Sequence, residues 1–328
     1  MTRIRAGFLG CGGIANRHAG ALRTLAGDFE LVAGCDRELP RAAAFADKNG
    51  GRAYAEFDRM LDEGRLDLLI VTLPPNIREG HAEKAVARGI NLLVEKPIAL
   101  DLAKAEAIVN AAERAGIIAA NGFMYRFGDA VARWKAADTG KAGLFAGSYH
   151  CNALHAEWWR KKACSGGQLV EQAIHLVDLV RLFMGEPDTV YARSANLFHK
   201  STPNYDIEDV SAIVFGWDDG CIATLNASNI AVPGTWHKDW SVFAERMTGR
   251  FTGWNNAELF RTAGEVAREV VAGKTDPFVA QLAELAAAIR EHRPPRVTLR
   301  DGMATLKLAL AAQRSAAEHR ELRLKDGL

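Results

Sequence analysis

At 328 residues, with 48% apolar and 25% charged positions, the chain is long enough for two globular domains that each bury a core. Its formal net charge of +1 gives no reason to expect nucleic acid or an acidic membrane surface as partner, and no window approaches the roughly 18 uninterrupted apolar residues of a membrane span. The five cysteines, at 11, 35, 151, 164 and 221, form no C-x-x-C pair, which excludes the usual zinc and disulfide frameworks, and no metal site is expected.

The N-terminus enters a strand almost at once, without a charged leader or cleavage site, so the expectation is a cytoplasmic protein with reduced thiols. Ile4 to Leu9 is a short apolar run that reads as a buried strand, and Gly10, Gly12 and Gly13 let the backbone turn sharply behind it. Helix-compatible residues follow from Ile14 to Leu25. A strand, a glycine turn and a helix start aim free N–H groups and a positive dipole end at one spot, which suits a pyrophosphate. Gly10, Gly12 and Ala15 fit the G-x-G-x-x-G/A dinucleotide fingerprint. A second apolar run, Glu30 to Arg37, ends in Asp36 about 20 residues further on, where a ribose-binding acid is required. Its carboxylate would repel a 2′-phosphate and so favours NAD over NADP, while Arg37 and Arg41 are the residues that would meet such a phosphate.

Helices are predicted over Arg41–Asn49 and Phe57–Glu63, then a strand over Leu66–Leu73 whose centre is apolar without alternation, as in parallel sheets covered on both faces. Leu73, Pro74 and Asn76 lie in the rigid loop at its carboxyl end, where doubly wound folds bind ligands. A helix from His81 to Arg88, a strand Asn91–Val94, an Asp101-capped helix to Ala115 and a strand Ile117–Ala120 complete a Rossmann-type α/β domain over residues 1–121. The cofactor set read from these elements is Gly10, Gly12, Gly13, Ile14, Asp36, Arg37, Leu73, Pro74, Asn76, His81, Glu95 and Lys96.

Residues 122–328 read differently. A helix Asp129–Ala137 and a strand-like stretch Leu144–Leu154 lead to Gly166-Gly167 and an apolar helix Gln168–Met184. Strands over Val190–Phe198, Val210–Trp217, Cys221–Ala227, Trp240–Phe243 and Arg250–Trp254 follow with no helices between them, so this is an α+β domain with a large, mostly antiparallel open sheet. Asp218-Asp219-Gly220 is a hairpin signal. Helices Phe278–Arg290 and Asp301–Glu318 close the chain.

Two places break the local apolar rules. Glu95-Lys96-Pro97 sets two charges directly after a buried strand, at the sheet edge that faces the cofactor, so Lys96 would reach a substrate oxygen beside the nicotinamide. In the apolar helix, Glu171, His175 and Asp178 fall at i, i+4 and i+7 on one face. Such a stripe needs partners, water or a ligand. Imidazole titrates in the range useful for taking a hydroxyl proton, and a carboxylate one turn away orients it. The alternative is a structural histidine tied to Asp178 or Glu171.

With Gly10-Cys11-Gly12-Gly13-Ile14-Ala15, Glu95-Lys96-Pro97 and Gly166 through Asp178 in hand, the chain resembles the Gfo/Idh/MocA oxidoreductases, named for glucose–fructose oxidoreductase, inositol dehydrogenase and rhizopine catabolism. The closing helix with Asp301-Gly302 and Ser315-Ala316 adds to the likeness, which covers nearly the whole chain. The resemblance implies that Lys96 hydrogen-bonds the reacting hydroxyl and that His175 is the general acid/base, with Glu171 where the family commonly has Asp and Gln168 where it has a third glycine. Tyr125, Arg126, Trp158, Trp159 and Asp178 are the candidate substrate contacts; Trp158 and Trp159, read as loop residues, would stack on a sugar ring or equally pack between subunits. The expected activity is NAD-dependent dehydrogenation of a sugar, cyclitol or polyol hydroxyl. Its alternatives are transient NAD oxidation for glycosidic cleavage and a non-catalytic NAD sensor. An open sheet face needs a cover, so a homodimer or homotetramer through the second domain is expected.

Overall fold

The computed structural model describes residues 2–325 apart from 79, 153 and 155; Ala153, inside the predicted strand Leu144–Leu154, and residues 1 and 326–328 of the predicted domains lie outside the described residues. The chain divides into two compact units, Met1–Met124 with Phe278–Met303, and Tyr125–Pro277 with Ala304–Leu328. The predicted boundary at 121/122 is therefore corrected in one respect: the stretch after the second sheet returns to the first unit. Buried contacts explain the return. Asn121 N–H bonds Val297 O at 3.1 Å, and the Gln281 side-chain amide donates to Asn121 O at 3.1 Å.

Among the described residues the first unit holds six parallel strands: β1 (Ile4–Leu9), β2 (Phe29–Cys35), β3 (Arg52–Tyr54), β4 (Leu68–Val71), β5 (Asn91–Val94) and β6 (Ala119–Asn121). Their order, β3-β2-β1-β4-β5-β6, is that of a dinucleotide-binding doubly wound sheet, with its switch point between β1 and β4. All four residues of β4 are fully buried, as its unbroken apolar run requires. β3 has no such run and was not predicted. Asp101 caps the helix Leu102–Ala115 as expected, accepting the Lys104 N–H at 2.8 Å.

The second unit is built on β7 (Ala142–Cys151), β8 (Thr189–Ala195), β9 (Val210–Gly216), β10 (Ile222–Ser228), β11 (Trp236–Ala244), β12 (Met247–Thr252), β13 (Asn256–Arg261), β14 (Ala267–Ala272) and β15 (Leu322–Arg323). The order is β14-β13-β12-β11-β7-β10-β9-β8-β15, and every pairing is antiparallel except β7 with β10. Side chains alternate along it: Phe145, Gly147 and Tyr149 of β7 are buried on the face that carries the helix Ile174–Met184. Leu144, Ser148 and His150 point the other way. β13, β14 and β15 were absent from the sequence reading, since β14 pairs its charges (Arg268-Glu269) and its valines (Val270-Val271) instead of alternating them and β15 is only two residues long.

Candidate active site

In the first unit, the turn after β1 is shaped for close approach. Gly10 has φ 91°, and a Cβ there would stand 3.1 Å from Leu73 N and Thr72 C, so only glycine lets the turn pack under the end of β4. Thr72 ties the two ends together, its hydroxyl donating to Leu9 O at 3.0 Å and Gly10 O at 2.7 Å. At Gly12 and Gly13 a Cβ would meet nothing within 4 Å, so open space lies above the turn. Gly12 is the N-cap of the helix Gly13–Thr24, which contains Ile14, and puts no side-chain cap on the first N–H groups; the Asn16 amide bonds Gly12 O at 3.0 Å instead. The N–H groups of this helix start suit an anion. Asp36, just beyond β2, is turned toward this spot: Oδ2 accepts Cys11 N–H at 3.1 Å and Oδ1 accepts Glu38 N–H at 3.1 Å. Arg41 Nη1 lies 3.7 Å from Oδ1, whereas Arg37 is exposed. These groups fit a dinucleotide, with pyrophosphate on the turn and ribose on Asp36. Burial, with the Asp36 charge adding, pushes the Cys11 thiol up to about 12 and the Cys35 thiol up to about 11.

The Glu95-Lys96-Pro97 segment is held from both sides. His18 Nε2 lies 2.7 Å from Glu95 Oε1, and Glu95 Oε2 accepts the Lys96 N–H at 3.1 Å. Arg78, almost fully buried, donates to Leu73 O at 2.8 Å and also to Glu95 O and Pro97 O, the carbonyls flanking Lys96. The Lys96–Pro97 peptide is cis. Burial pushes the Glu95 carboxyl up, but the His18 hydrogen bond and the His18, Lys96 and Arg78 charges outweigh it, and the carboxyl is held below its ordinary value. Sequence reasoning missed both holders. His18 shares a buried face with Ala15, Ala19 and Leu22, a spacing that marks it as an interior histidine. Arg78 gave no signal beyond one basic residue in a proline loop. Of the loop residues that were predicted, Leu73 and Pro74 are half-buried, Asn76 is exposed, and His81 packs its ring 5.3 Å from Phe57.

In the second unit the predicted continuous helix is two: Gln168–Glu171 and Ile174–Met184. The Ala173 N–H reaches back five residues to Gln168 O at 3.0 Å, a widened turn stabilised by Gln172, whose side-chain amide donates to Tyr149 O at 3.0 Å. The i, i+4, i+7 stripe is thereby corrected, because Glu171 and His175 no longer share one helical register. Glu171 accepts the indole N–H of Trp159. Asp178 is gripped by Arg126 at 2.8 and 2.6 Å and accepts the Thr305 hydroxyl at 3.1 Å. The fold gives Arg126 and Asp178 to each other. Trp158 and Trp159 lie in the short helix Glu157–Arg160 rather than a loop; Trp159 is buried with Cys151, Tyr205 and Ile207, and Trp158 packs against that cluster.

His175 is left beside Tyr125, ring centroids 4.8 Å apart and edge to face. Tyr125 is buried, its hydroxyl has no hydrogen-bond partner among the described residues, and burial pushes its ionisation well up, so it stays a donor. Its ring also meets Trp240 and Trp254 at 6.0 Å each. Among the described residues no group of three or more His, Cys, Asp or Glu is arranged to hold a metal ion.

Residues 4–123 match the oxidoreductase family with an NAD-binding Rossmann fold, and residues 130–250 match the GFO/IDH/MocA C-terminal domain. The chain belongs to the Gfo/Idh/MocA family. As a Gfo/Idh/MocA protein it is an NAD(P)-dependent oxidoreductase of CH–OH groups. It is 26% identical to D-xylose 1-dehydrogenase (NADP(+)) 2 of Haloferax volcanii, over 94% of this chain and 96% of that one. It is 25% identical to myo-inositol 2-dehydrogenase of Thermotoga maritima, over 98% and 99% of the two chains. Levoglucosan dehydrogenase, solved with NADH and levoglucosan, shares the fold with a TM-score of 0.90 at 16% identity, covering 98% of this chain and 100% of that one. Among the described residues no helix is long and apolar enough to cross a membrane.

Proposed function

We propose that this Gfo/Idh/MocA protein oxidises a ring hydroxyl of a sugar, inositol or related polyol with NAD, and that Lys96 and His175 handle the hydroxyl proton. NAD, when bound, supplies the carbon that accepts the hydride. The Gly10–Ile14 turn and Asp36 hold it, with Asp36 disfavouring a 2′-phosphate. Lys96 polarises the substrate oxygen, His175 takes its proton, and the Tyr125 hydroxyl gives a further donor to a substrate oxygen.

The observation that carries this reading is the fixing of the two reactive residues. The backbone of Lys96 is gripped by Glu95 and Arg78, and His175 follows a widened turn and is packed edge-on against Tyr125. Restraint of this kind is what a site needs to hold reacting groups in register, and a surface lysine or core histidine does not require it. The sugar or polyol substrate is supported by the names of the relatives, which act on D-xylose and myo-inositol.

The test is a spectrophotometric panel of sugars, inositols and polyols with NAD and NADP, run beside His175→Ala. Reduction of NAD that the substitution abolishes supports the proposal. Substrate turnover without net cofactor reduction would favour transient oxidation, and tight NAD binding with no turnover would favour a sensor.

A homodimer or homotetramer is part of the proposal. Phe243, Leu144 and Ile222 stand side by side across β11, β7 and β10 on the face away from the helix Ile174–Met184, each more than a third exposed. An apolar row at the centre of a broad sheet is a surface that a second copy covers. Sedimentation at micromolar concentration that shows only monomer would remove it.

A further inference from the structure

Within the first unit, the chemistry described for Lys96 leaves one buried titratable group without a task, His18. It is fully buried on the helix Gly13–Thr24, and its Nε2 lies 2.7 Å from Glu95 Oε1. The carboxylate can only accept, so Nε2 carries the hydrogen. The second carboxylate oxygen, Oε2, accepts the Lys96 N–H at 3.1 Å. One carboxylate therefore joins a helix to the peptide of the proposed catalytic lysine. It has no room to swing away. A Cβ on Gly122 would stand 2.9 Å from Glu95 Cδ and Oε2 and 3.0 Å from Oε1, so the backbone after β6 presses on both oxygens and only glycine leaves them space.

The histidine is held just as firmly, its ring edge-on to Phe278 with centroids 5.1 Å apart. Its Nδ1 has no hydrogen-bond partner among the described residues, so the polar side of the ring is directed at Glu95. A leucine would fill the same space without drawing a carboxylate out of water, so packing does not account for the pair. The place of the histidine on its helix does. That helix starts at the open dinucleotide turn of Gly12 and Gly13, and His18 lies five residues along it. The rise from the turn to His18 is about 7.5 Å and is fixed by helix geometry. Arg78 grips the carbonyls on either side of Lys96, whereas His18 ties the same segment to the cofactor helix.

We propose that His18 is a positioning residue that acts through Glu95 to hold Lys96 in register with the helix that seats the dinucleotide. The role of Lys96 rests on the dehydrogenase reading above; the clamp on its backbone does not. A displacement of about 1 Å between a reacting group and its partner costs up to about 100-fold in rate, so a rigid link from the cofactor turn to Lys96 has a direct effect on turnover.

His18→Leu, His18→Asn and His18→Gln are compared in the full chain. A glutamine amide reaches to where imidazole Nε2 stands, and an asparagine amide stops one carbon short. Three quantities are read: NADH affinity from the fluorescence of the dinucleotide itself, hydrogen exchange of the peptide covering residues 91–100, and kcat with the sugar or polyol that the NAD panel finds. His18→Leu and His18→Asn should speed exchange of that peptide and lower kcat about 10-fold to 100-fold, while NADH affinity falls less than kcat does. His18→Gln should restore both exchange and kcat. Parental exchange and kcat in His18→Leu overturn the proposal, as does a loss that His18→Gln leaves unrepaired or an NADH affinity that falls as far as kcat. If His18→Leu does not fold, the contrast between His18→Gln and His18→Asn decides, because both are polar and one reaches Glu95. A panel without His175-dependent NAD reduction would sink the dehydrogenase reading, and exchange would still judge the clamp. His175-dependent reduction that runs at the parental rate in His18→Leu would remove the clamp and keep the reading.

Discussion

Replacing Arg78 with Met is the sharpest perturbation of the proposed catalytic segment. The guanidinium supplies hydrogen bonds to three carbonyls, those of Leu73, Glu95 and Pro97, and it is 4% exposed. A buried acceptor left without a donor costs about 1–3 kcal/mol, so three cost roughly 3–9 kcal/mol. Removing a desolvated cation returns part of that, and water entering the gap returns more, which leaves an expected loss of about 3–5 kcal/mol. All seven tryptophans lie between 134 and 254, in the second unit, so their fluorescence reports directly on that unit. Hydrogen exchange of the peptide covering residues 91–100 is the suitable assay, because its opening free energy reads the first unit directly. Arg78→Lys, a point donor in place of a planar fork, should recover only part of the loss. Turnover should fall with both variants in the same order, as Lys96 loses its backbone anchor. A loss below about 1 kcal/mol for Arg78→Met, on the scale of an ordinary surface substitution, would refute the clamp.

The Glu95 carboxyl is held below its ordinary value, so its contribution to stability is complete above the unfolded value, about 4.3, and disappears as pH falls through the lower folded one. Circular dichroism during acid titration should show Glu95→Gln losing less stability below about pH 4 than the parent; parallel curves would count against the His18–Glu95 pair. With the Cys11 thiol pushed up to about 12 and the Cys35 thiol up to about 11, both should resist alkylation at about pH 8 until the chain unfolds. Peptide mass spectrometry that finds either labelled as fast as the less buried Cys164 would contradict this. Arg126→Met strips the buried Asp178 carboxylate of its bidentate partner and should cost about 3–5 kcal/mol in urea unfolding followed by tryptophan fluorescence. Asp36→Asn removes the charge beside the dinucleotide turn, and the NADP-to-NAD ratio of kcat/KM should rise about 10-fold or more, equivalent to about 1.4 kcal/mol. An unchanged ratio would separate Asp36 from cofactor choice.

The parallel sheet was legible because its strands are continuous apolar runs and its turns are punctuated by glycine and proline. Ile4–Leu9 and Asn91–Val94 coincide with the predicted strands residue for residue. β14 was not legible, because its charges (Arg268-Glu269) and its valines (Val270-Val271) come in adjacent pairs rather than in alternation, and Val270 is exposed. At the site, residue types carried the information well and geometry poorly. Periodicity placed Glu171, His175 and Asp178 on one face, but a hydrogen bond from Ala173 back to Gln168 shifts the register by a residue, and periodicity assumes an unbroken helix. Arg78 escaped notice for a different reason: its work is done on backbone carbonyls, which every residue has and no pattern of side chains announces. The tryptophan pair at 158–159 suggested a sugar platform, whereas Trp159 is buried with Cys151, Tyr205 and Ile207 and donates its indole N–H to Glu171.

The return of Phe278–Met303 to the first unit has a consequence for biosynthesis. β6 is finished by this segment: Val297 O receives the Asn121 N–H, Gln281 bonds Asn121 O, and Gly302 packs so closely on Asn121 that a Cβ there would fall 2.3 Å from its side-chain oxygen. A ribosome that has released residues 1–124 has therefore delivered about five-sixths of a nucleotide fold whose last strand is paired with β5 on one side only, and about 150 residues of the second unit must emerge before the closing segment arrives. The half of the protein encoded first is completed nearly last, so nascent chains expose an unfinished edge at β6 for most of translation, and a fragment ending at Met124 would carry that edge permanently.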